Sequence, residues 1–506
     1  MAQNIVYSLF LLKSQSVILY TILLFLICFL ALRYVKSLRP SSLNPWLVLT
    51  AFSLKVAIGF YFLYLYTLVY GDGTLSADAG AFMEESKALN RIFYQSPADY
   101  LKLLTGLGDN QTLILHYLEE TSHWDAGAQA IISDNRNILR LHSLIHFFSF
   151  GNAAIHVFVM CFLSIIGLNQ LFIALKDRTN LKLVYLFLLL LLFPSVLFWT
   201  SGILKEPLMF LGFSLLARSI FGKDNPRKKV ILCCLGVLLL IGFKPYVIIA
   251  FLPAILFYGL YRLMPRLKII SAISVLIIIF LSIVIFLPGI RDRVTHIFSM
   301  KQYDFKNVAK GGLHALNMQD SSFYYFEAEQ FDLLTIEEDS VSIKIELDAV
   351  ILRHGAMEFP QKIHLKPSNE KWLIYFTNKK SDGYIELTMI KGSFTQMIKN
   401  IPEALINSLF RPFFNDPGSW LKYPAMIETV LLFFFLIYAV VKRRKLSVNE
   451  KVLILSIVLF VLTLSLIIGW VTPVLGAIVR YRIPAYLGIL IIALLIINPV
   501  KKIKHE

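Results

Sequence analysis

Charge is scarce in this 506-residue chain: Asp, Glu, Lys and Arg together make up only 16% of it, against about 25% in ordinary soluble domains. So little charge cannot cover a soluble globule, and the balance is a 57% hydrophobic content, 40 Phe and a mean hydropathy of +0.67. A soluble enzyme is excluded, and an integral membrane protein is implied. Cysteine is equally sparse. Cys28, Cys161, Cys233 and Cys234 all lie inside apolar runs, where thiols behave as small hydrophobes, so neither a disulfide framework nor a zinc site is implied. Internal repeats and low-complexity tracts are also missing. No small-residue cleavage site follows the apolar run from Val17 to Leu32, which therefore reads as a retained helix.

Acidic residues are the minority charge, 33 against 49 Lys and Arg, for a net +16. The basic residues cluster in short segments between apolar runs, the pattern of topology signals, so nucleic acid is excluded as a partner and membrane lipids are expected instead. A spanning helix needs about 20 mostly apolar residues. That measure predicts eleven, near 16–34, 47–70, 143–174, 181–200, 203–221, 228–243, 246–263, 267–288, 424–441, 451–470 and 474–498. The expected fold is an all-α polytopic membrane protein with a small β-rich insertion.

Every second loop of that arrangement is basic: Arg33, Lys36 and Arg39; Lys176, Arg178 and Lys182; Arg218, Lys223, Arg227, Lys228 and Lys229; Arg262, Arg266 and Lys268; Lys442 to Lys445; and Lys501, Lys502 and Lys504. Positive charge stays inside, which predicts an outer N-terminus, a cytoplasmic C-terminus, and both long loops, about 71–142 and 289–423, on the outer face. The expected organisation is a membrane region over 1–288, an extracytoplasmic loop over 289–423 and a second membrane region over 424–506. In the first loop, ADAGAFMEESKALNRIF and PADYLKLLTGL have amphipathic helical spacing suited to the membrane surface. In the second, SVSIKIELDAVILRH, KWLIYFT and SDGYIELTMI alternate with period two about a turn at Lys379 to Gly383, predicting a β-rich domain and a hairpin over about 320–393. IPEALINSLFRPFF then reads as an interfacial amphipathic helix.

Several charges stand where a membrane protein has reason to avoid them. Asp72 and Asp78 follow the second apolar run, in GDGTLSADAGAF, with Glu84 and Glu85 beyond. A carboxylate there is either a solvated helix start or a general base for an acceptor hydroxyl. Lys205 and Glu206 occupy the short turn TSGILKEP, where they serve as helix capping or face the protein interior. Arg480 and Arg482, in VRYRIPAY, fall on the expected outer face against the positive-inside rule. A guanidinium fork suits a phosphate; the competing account is snorkelling to headgroups. Lys244 in FKPY and Arg411 in LFRPFF add cations on the same side. His142, His146 and His156 recur without metal-ligand spacing and read as polar core, and Lys55 reads as a snorkelling lysine; no metal or cofactor is implied.

Together, the acidic D-A-x-x-F stretch (Ala77 to Phe82), the P-S-x-x-F-W-x-S-G-x-x-K-E segment (within Phe193 to Glu206) and R-x-R-I-P (Arg480 to Pro484) resemble the GT-C superfamily of polytopic glycosyltransferases, which includes protein O-mannosyltransferases and bacterial aminoarabinose transferases. The resemblance covers the membrane core and not the β-rich loop. It implies a polyprenyl-phosphate-linked sugar donor and an acidic base in the first outer loop, which lands on Asp78 and next on Asp72. It also implies a place in the inner membrane. Asp78 is followed by Ala79, where the family's usual Asp-Glu pair would need an acid. The other readings are an O-antigen-type polymerase or ligase, and a transporter or scaffold subunit; a transporter is expected to carry repeated halves and midplane charges.

Overall fold

Prolines and capping side chains decide where the helices of this chain begin. The computed structural model describes residues 19–35, 38–107, 111–119, 121, 123–124, 133–179, 181–264, 269–320, 322–353 and 360–497. The cations Lys36, Arg266, Lys268, Lys501, Lys502 and Lys504, and His354, lie outside the described residues.

Helix α1 covers Leu19–Tyr34. Helix α2, Pro45–Tyr64, starts on Pro45 behind Asn44, whose side chain accepts from the Trp46 amide, and a π-helical turn, Leu65–Val69, prolongs it. Next come α3 (Ala77–Gln95), α4 (Pro97–Thr105), α5 (Gln111–Tyr117) and α6 (Asp134–Ser149). Phe82, Leu89 and Ile92 of α3 bury against Tyr100 and Leu103 of α4, Ile114 of α5 and Ile138 and Leu139 of α6. The amphipathic faces of this polar stretch therefore pack on one another.

The remaining helices of this half are α7 (Ala153–Leu175), α8 (Leu183–Leu191), α9 (Pro194–Trp199), α10 (Glu206–Phe221) and α11 (Pro226–Phe243). Beyond them run α12 (Pro245–Leu263), α13 (Ile269–Phe286) and α14 (Pro288–Lys310). Seven strands follow: β1 (Gly312–Asn317), β2 (Ser322–Glu327), β3 (Leu334–Ile336), β4 (Ser340–Ile343), β5 (Leu347–Arg353), β6 (Gln361–Leu365) and β7 (Ser368–Asn378). They form one sheet, ordered β3-β4-β7-β1-β2-β5-β6, with every pairing antiparallel. Leu313, Ala315, Tyr324, Phe326, Val341, Ala349 and Trp372 bury one face of it. The chain ends in α15 (Phe394–Lys399), α16 (Ile401–Leu409), α17 (Lys422–Val441), α18 (Val448–Val471), α19 (Leu475–Tyr481) and α20 (Ile483–Ile496).

This is a membrane-spanning helical protein with a small antiparallel sheet, but the expected eleven spans are not what forms. Among the described residues six helices are long and apolar enough to cross: Pro45–Val69, Ala153–Leu175, Pro245–Leu263, Ile269–Phe286, Lys422–Val441 and Val448–Val471. A seventh arises if α19 and α20, bent by 50° at Arg482, count as one. The other apolar runs fail for local reasons. The run at 143–174 breaks at Phe150, in the left-handed region at φ 51°, leaving only α7 as a span. Pro194 divides 181–200 into α8 and the six-residue α9. Helix α10 has 16 residues, 14 of them buried, so its apolarity serves contact with protein. Arg227, Lys228 and Lys229 occupy the first turn of α11; of the run at 16–34 the described residues hold the helix Leu19–Tyr34, and 16–18 lie outside them.

The expected hairpin about Lys379 to Gly383 is a second correction. Ser381–Gly383 forms no strand-to-strand connection; Tyr384 makes a lone bridge to Val474 instead, while β7 pairs with β1 and β4. The chain folds as two compact units, one comprising Met1–Ile249, Lys442–Arg444 and Ala493–Glu506, the other Ala250–Val441 and Lys445–Ile492.

Candidate functional site

In the first unit the non-helical link between α9 and α10 is wholly buried: Thr200, Ser201 and Ile203 are 0% exposed, and Leu204, Lys205 and Glu206 lie within 7%. It is no open turn. Helix α2 approaches it so closely that a Cβ at Gly59 would fall 2.6 Å from the Ser201 carbonyl oxygen, and one at Gly202 would fall 2.9 Å from the Phe62 ring. Glycine at both positions is what permits this approach. The link delivers Lys205 and Glu206 to the start of α10, where Pro207 occupies the first turn and the Lys205 carbonyl accepts from the Met209 amide.

Two ion pairs meet there. Lys205 Nζ lies 2.6 Å from Asp134 Oδ2 and donates also to Asn135 Oδ1. Lys244, the residue linking α11 to α12, places Nζ 2.9 Å from Glu206 Oε1. Asp134 and Asp78 both stand in the first turns of their helices, α6 and α3, where the positive end of the helix favours a carboxylate. Ser133 caps α6 by accepting from the Arg136 amide. Burial, reinforced by the Lys244 charge, pulls the Lys205 ammonium down to about 8, against the opposing pull of Asp134 and Asp78. Lys205 also lies 5.7 Å from the Phe82 ring centre, a residue that heads the same α3 face.

Further cations flank this centre. Arg136 and Arg140 are buried and stack over Trp124 at 5.1 and 5.5 Å, and Arg140 donates to Asn137, which in turn donates to the Gly242 carbonyl just before Lys244. Glu85 accepts from the His123 ring at 2.7 Å and from its amide at 3.2 Å. Of the predicted residues, Asp78, Lys205, Glu206 and Lys244 thus come together. Asp72 stands in the exposed turn before α3. Asp134 and Asn135 are members of the centre that the sequence reading misses, although Ser133-Asp134 ahead of an amphipathic run is an N-cap signature.

Lys55 is a correction. It does not snorkel: it is 1% exposed and its ammonium donates to Thr200 Oγ1 at 2.9 Å and the Val196 carbonyl at 3.4 Å. The histidines form a continuous buried chain in which Ser86 meets His146 Nε2 at 3.0 Å, Ser149 meets His156 Nε2 at 2.8 Å, and the Nδ1 atoms of His156 and His142 are 2.8 Å apart, one donating to the other. Among the described residues no cluster of His, Cys, Asp or Glu has metal-holding geometry.

Arg411, Arg480 and Arg482 belong to the second unit. Arg482 is 0% exposed. It donates to the carbonyls of Ser408 and Arg411 and, at 3.0 Å, to Thr429 Oγ1, with its guanidinium 4.1 Å over the Tyr486 ring. Its fork is engaged with the C-terminal end of α16. Arg411 pairs with Asp416 at 2.9 Å. Arg480 is half-buried, bonds the Tyr481 hydroxyl at 3.1 Å and stacks over that ring.

Fold and buried charges define a helical membrane protein with a polar centre inside its first unit. No protein-family model, curated protein or solved structure matches the chain.

Proposed function

We propose that this protein is a GT-C-type glycosyltransferase that moves a sugar from a polyprenyl-phosphate-linked donor to a lipid, glycan or protein acceptor at the outer leaflet of the inner membrane. The observation that carries this reading is the centre around Lys205: an ammonium paired with Asp134, in electrostatic reach of Asp78, and beside a second ammonium, Lys244. In this mechanism the acceptor oxygen attacks the anomeric carbon while the bond from that carbon to the phosphate oxygen breaks. Asp78 takes the acceptor proton. Lys205 and Lys244 neutralise the phosphate that leaves with the electron pair.

An outer placement is supported by α10 itself. Its first turn holds Glu206, its far end leads into the basic turn of Lys223, Arg227, Lys228 and Lys229, and its length of 16 residues corresponds to about 24 Å. With the basic turn in the cytoplasm, the Lys205 centre falls toward the outer leaflet.

Native mass spectrometry of the purified protein, with transfer assays from polyprenyl-phosphate sugars, tests the proposal. A retained polyprenyl-phosphate species and acceptor glycosylation are expected; neither appearing would overturn it. Transfer that persists after Asp72, Asp78 and Asp134 are all changed to Asn would instead favour the polymerase or ligase reading.

A further inference from the structure

The link Thr200–Lys205 carries six residues of non-helical backbone into the interior of the first unit, where each amide and carbonyl needs a protein partner. Its anchorage comes from two membrane-spanning helices. Lys55 of α2 donates to Thr200 Oγ1 and to the Val196 carbonyl at the end of α9. Thr200 Oγ1 lies 2.7 Å from Ser164 Oγ of α7, and Cys161 of α7 donates its thiol to the Ser201 carbonyl at 3.4 Å. Among the described residues, the hydrogen-bond partners of the Lys55 ammonium are that hydroxyl and that carbonyl, both neutral. An ammonium kept 1% exposed without a carboxylate carries a large desolvation penalty. Methionine would fill the same space without it, so the charge is there to hold something.

We propose that Lys55 is a positioning residue for the Lys205 centre: by holding Thr200 and the end of α9 it fixes the link that presents Lys205 to Asp134, Asn135 and Asp78 and Glu206 to Lys244. The cation also sits at the end of α9 where helix carbonyls are exposed, the favourable end for positive charge. Lys55 acts through Thr200 and touches no reacting atom. The assignment rests on the proposed transferase reading for its catalytic meaning, but its geometry is testable without turnover.

The test uses the full-length protein in detergent and two readouts. The first is the pH midpoint for labelling of the Lys205 amine, followed by peptide mass spectrometry; the second is the donor KM against kcat. Wild type is expected to label with a midpoint near 8. In Lys55→Met the loosened link lets Lys205 hydrate and the midpoint rises toward the ordinary lysine value of about 10.4, cutting labelling at pH 8 by at least about tenfold, while donor KM rises more than kcat falls. Thr200→Val, which removes the hydroxyl but no charge, is expected to move both readouts the same way, and Lys55→Arg to restore them in part. An unchanged midpoint in a folded Lys55→Met overturns the proposal. Should Lys55→Met fail to fold, an unchanged midpoint in Thr200→Val overturns it equally. A shifted midpoint in a protein whose wild type transfers no sugar upholds the positioning role and overturns the transferase reading.

Discussion

Lys244 Nζ lies 2.9 Å from Glu206 Oε1, with the two side chains 5% and 1% exposed, so each charge has been taken out of solvent for the other. Breaking such a pair from one side leaves an uncompensated buried charge, at a cost of about 3–5 kcal/mol. Glu206→Gln and Lys244→Met are each expected to lower the thermal unfolding midpoint in detergent sharply. The double variant Glu206→Met, Lys244→Met is expected to recover most of the loss, because it buries no charge. Additive losses in the double variant would show that the two residues do not stabilise one another.

The carboxylates separate by role. Asp78→Asn is expected to leave expression and donor-lipid retention nearly intact while lowering turnover by roughly 10²- to 10⁴-fold, the usual contribution of a positioned base. Asp134→Asn removes the partner 2.6 Å from Lys205 and is expected to raise donor KM first. If Asp78→Asn keeps full turnover and Asp72→Asn loses it, the base lies in the exposed turn before α3.

The histidine chain predicts acid sensitivity. Burial holds the His142 ring down to about 3, with the His146 charge adding to the effect. Burial likewise holds His146 down to about 4; its hydrogen bond to the Met83 carbonyl opposes the shift, and Lys87 favours it. Both lie below the ordinary 6.5, so the unfolded state binds protons first. Their contribution is complete above pH 6.5 and is lost as pH falls from there, through about 4 for His146 and about 3 for His142. His142 Nε2 is buried with no partner among the described residues, so an added proton there gains no hydrogen bond to offset its burial. Unfolding midpoints followed from pH 7 to 4 are expected to fall in wild type and to fall less steeply in His146→Gln. Equal slopes would remove these rings from the acid response.

Membrane character was legible because hydrophobic runs are a property of the chain alone. The span count was not, since an apolar run does not distinguish burial in lipid from burial in protein. Helix α10 illustrates the difficulty: Leu208 to Leu216 is as apolar as a span, but it is enclosed by the protein itself. Phe150 and Pro194 break runs that averaged hydropathy treats as continuous. For the site, Lys205 and Glu206 were visible as charges in a short turn, where capping of α10 and an inward-facing role fit equally. Their partners were not visible, since Asp134 and Lys244 are 71 and 38 residues away in sequence. Arg482 shows the converse: its charge stood out, yet two of its three hydrogen-bond acceptors are main-chain oxygens, which no residue pattern announces.

Arg482 and Arg480 are therefore expected to fail differently. Arg482 donates to two carbonyls and a hydroxyl from a position 0% exposed. Arg482→Ala leaves those acceptors buried without their donor, each costing about 1–3 kcal/mol, so loss of folded protein and a lowered unfolding midpoint come first. Arg482→Lys is expected to rescue little, because an ammonium cannot reproduce the planar fork that spans Ser408, Arg411 and Thr429. Arg480 is half-buried on the Tyr481 ring, less enclosed than Arg482. Arg480→Ala is expected to keep the unfolding midpoint and to weaken donor retention, more so as salt is raised. If Arg482→Ala folds with an unchanged midpoint and loses only donor lipid, its guanidinium serves the ligand and not the end of α16.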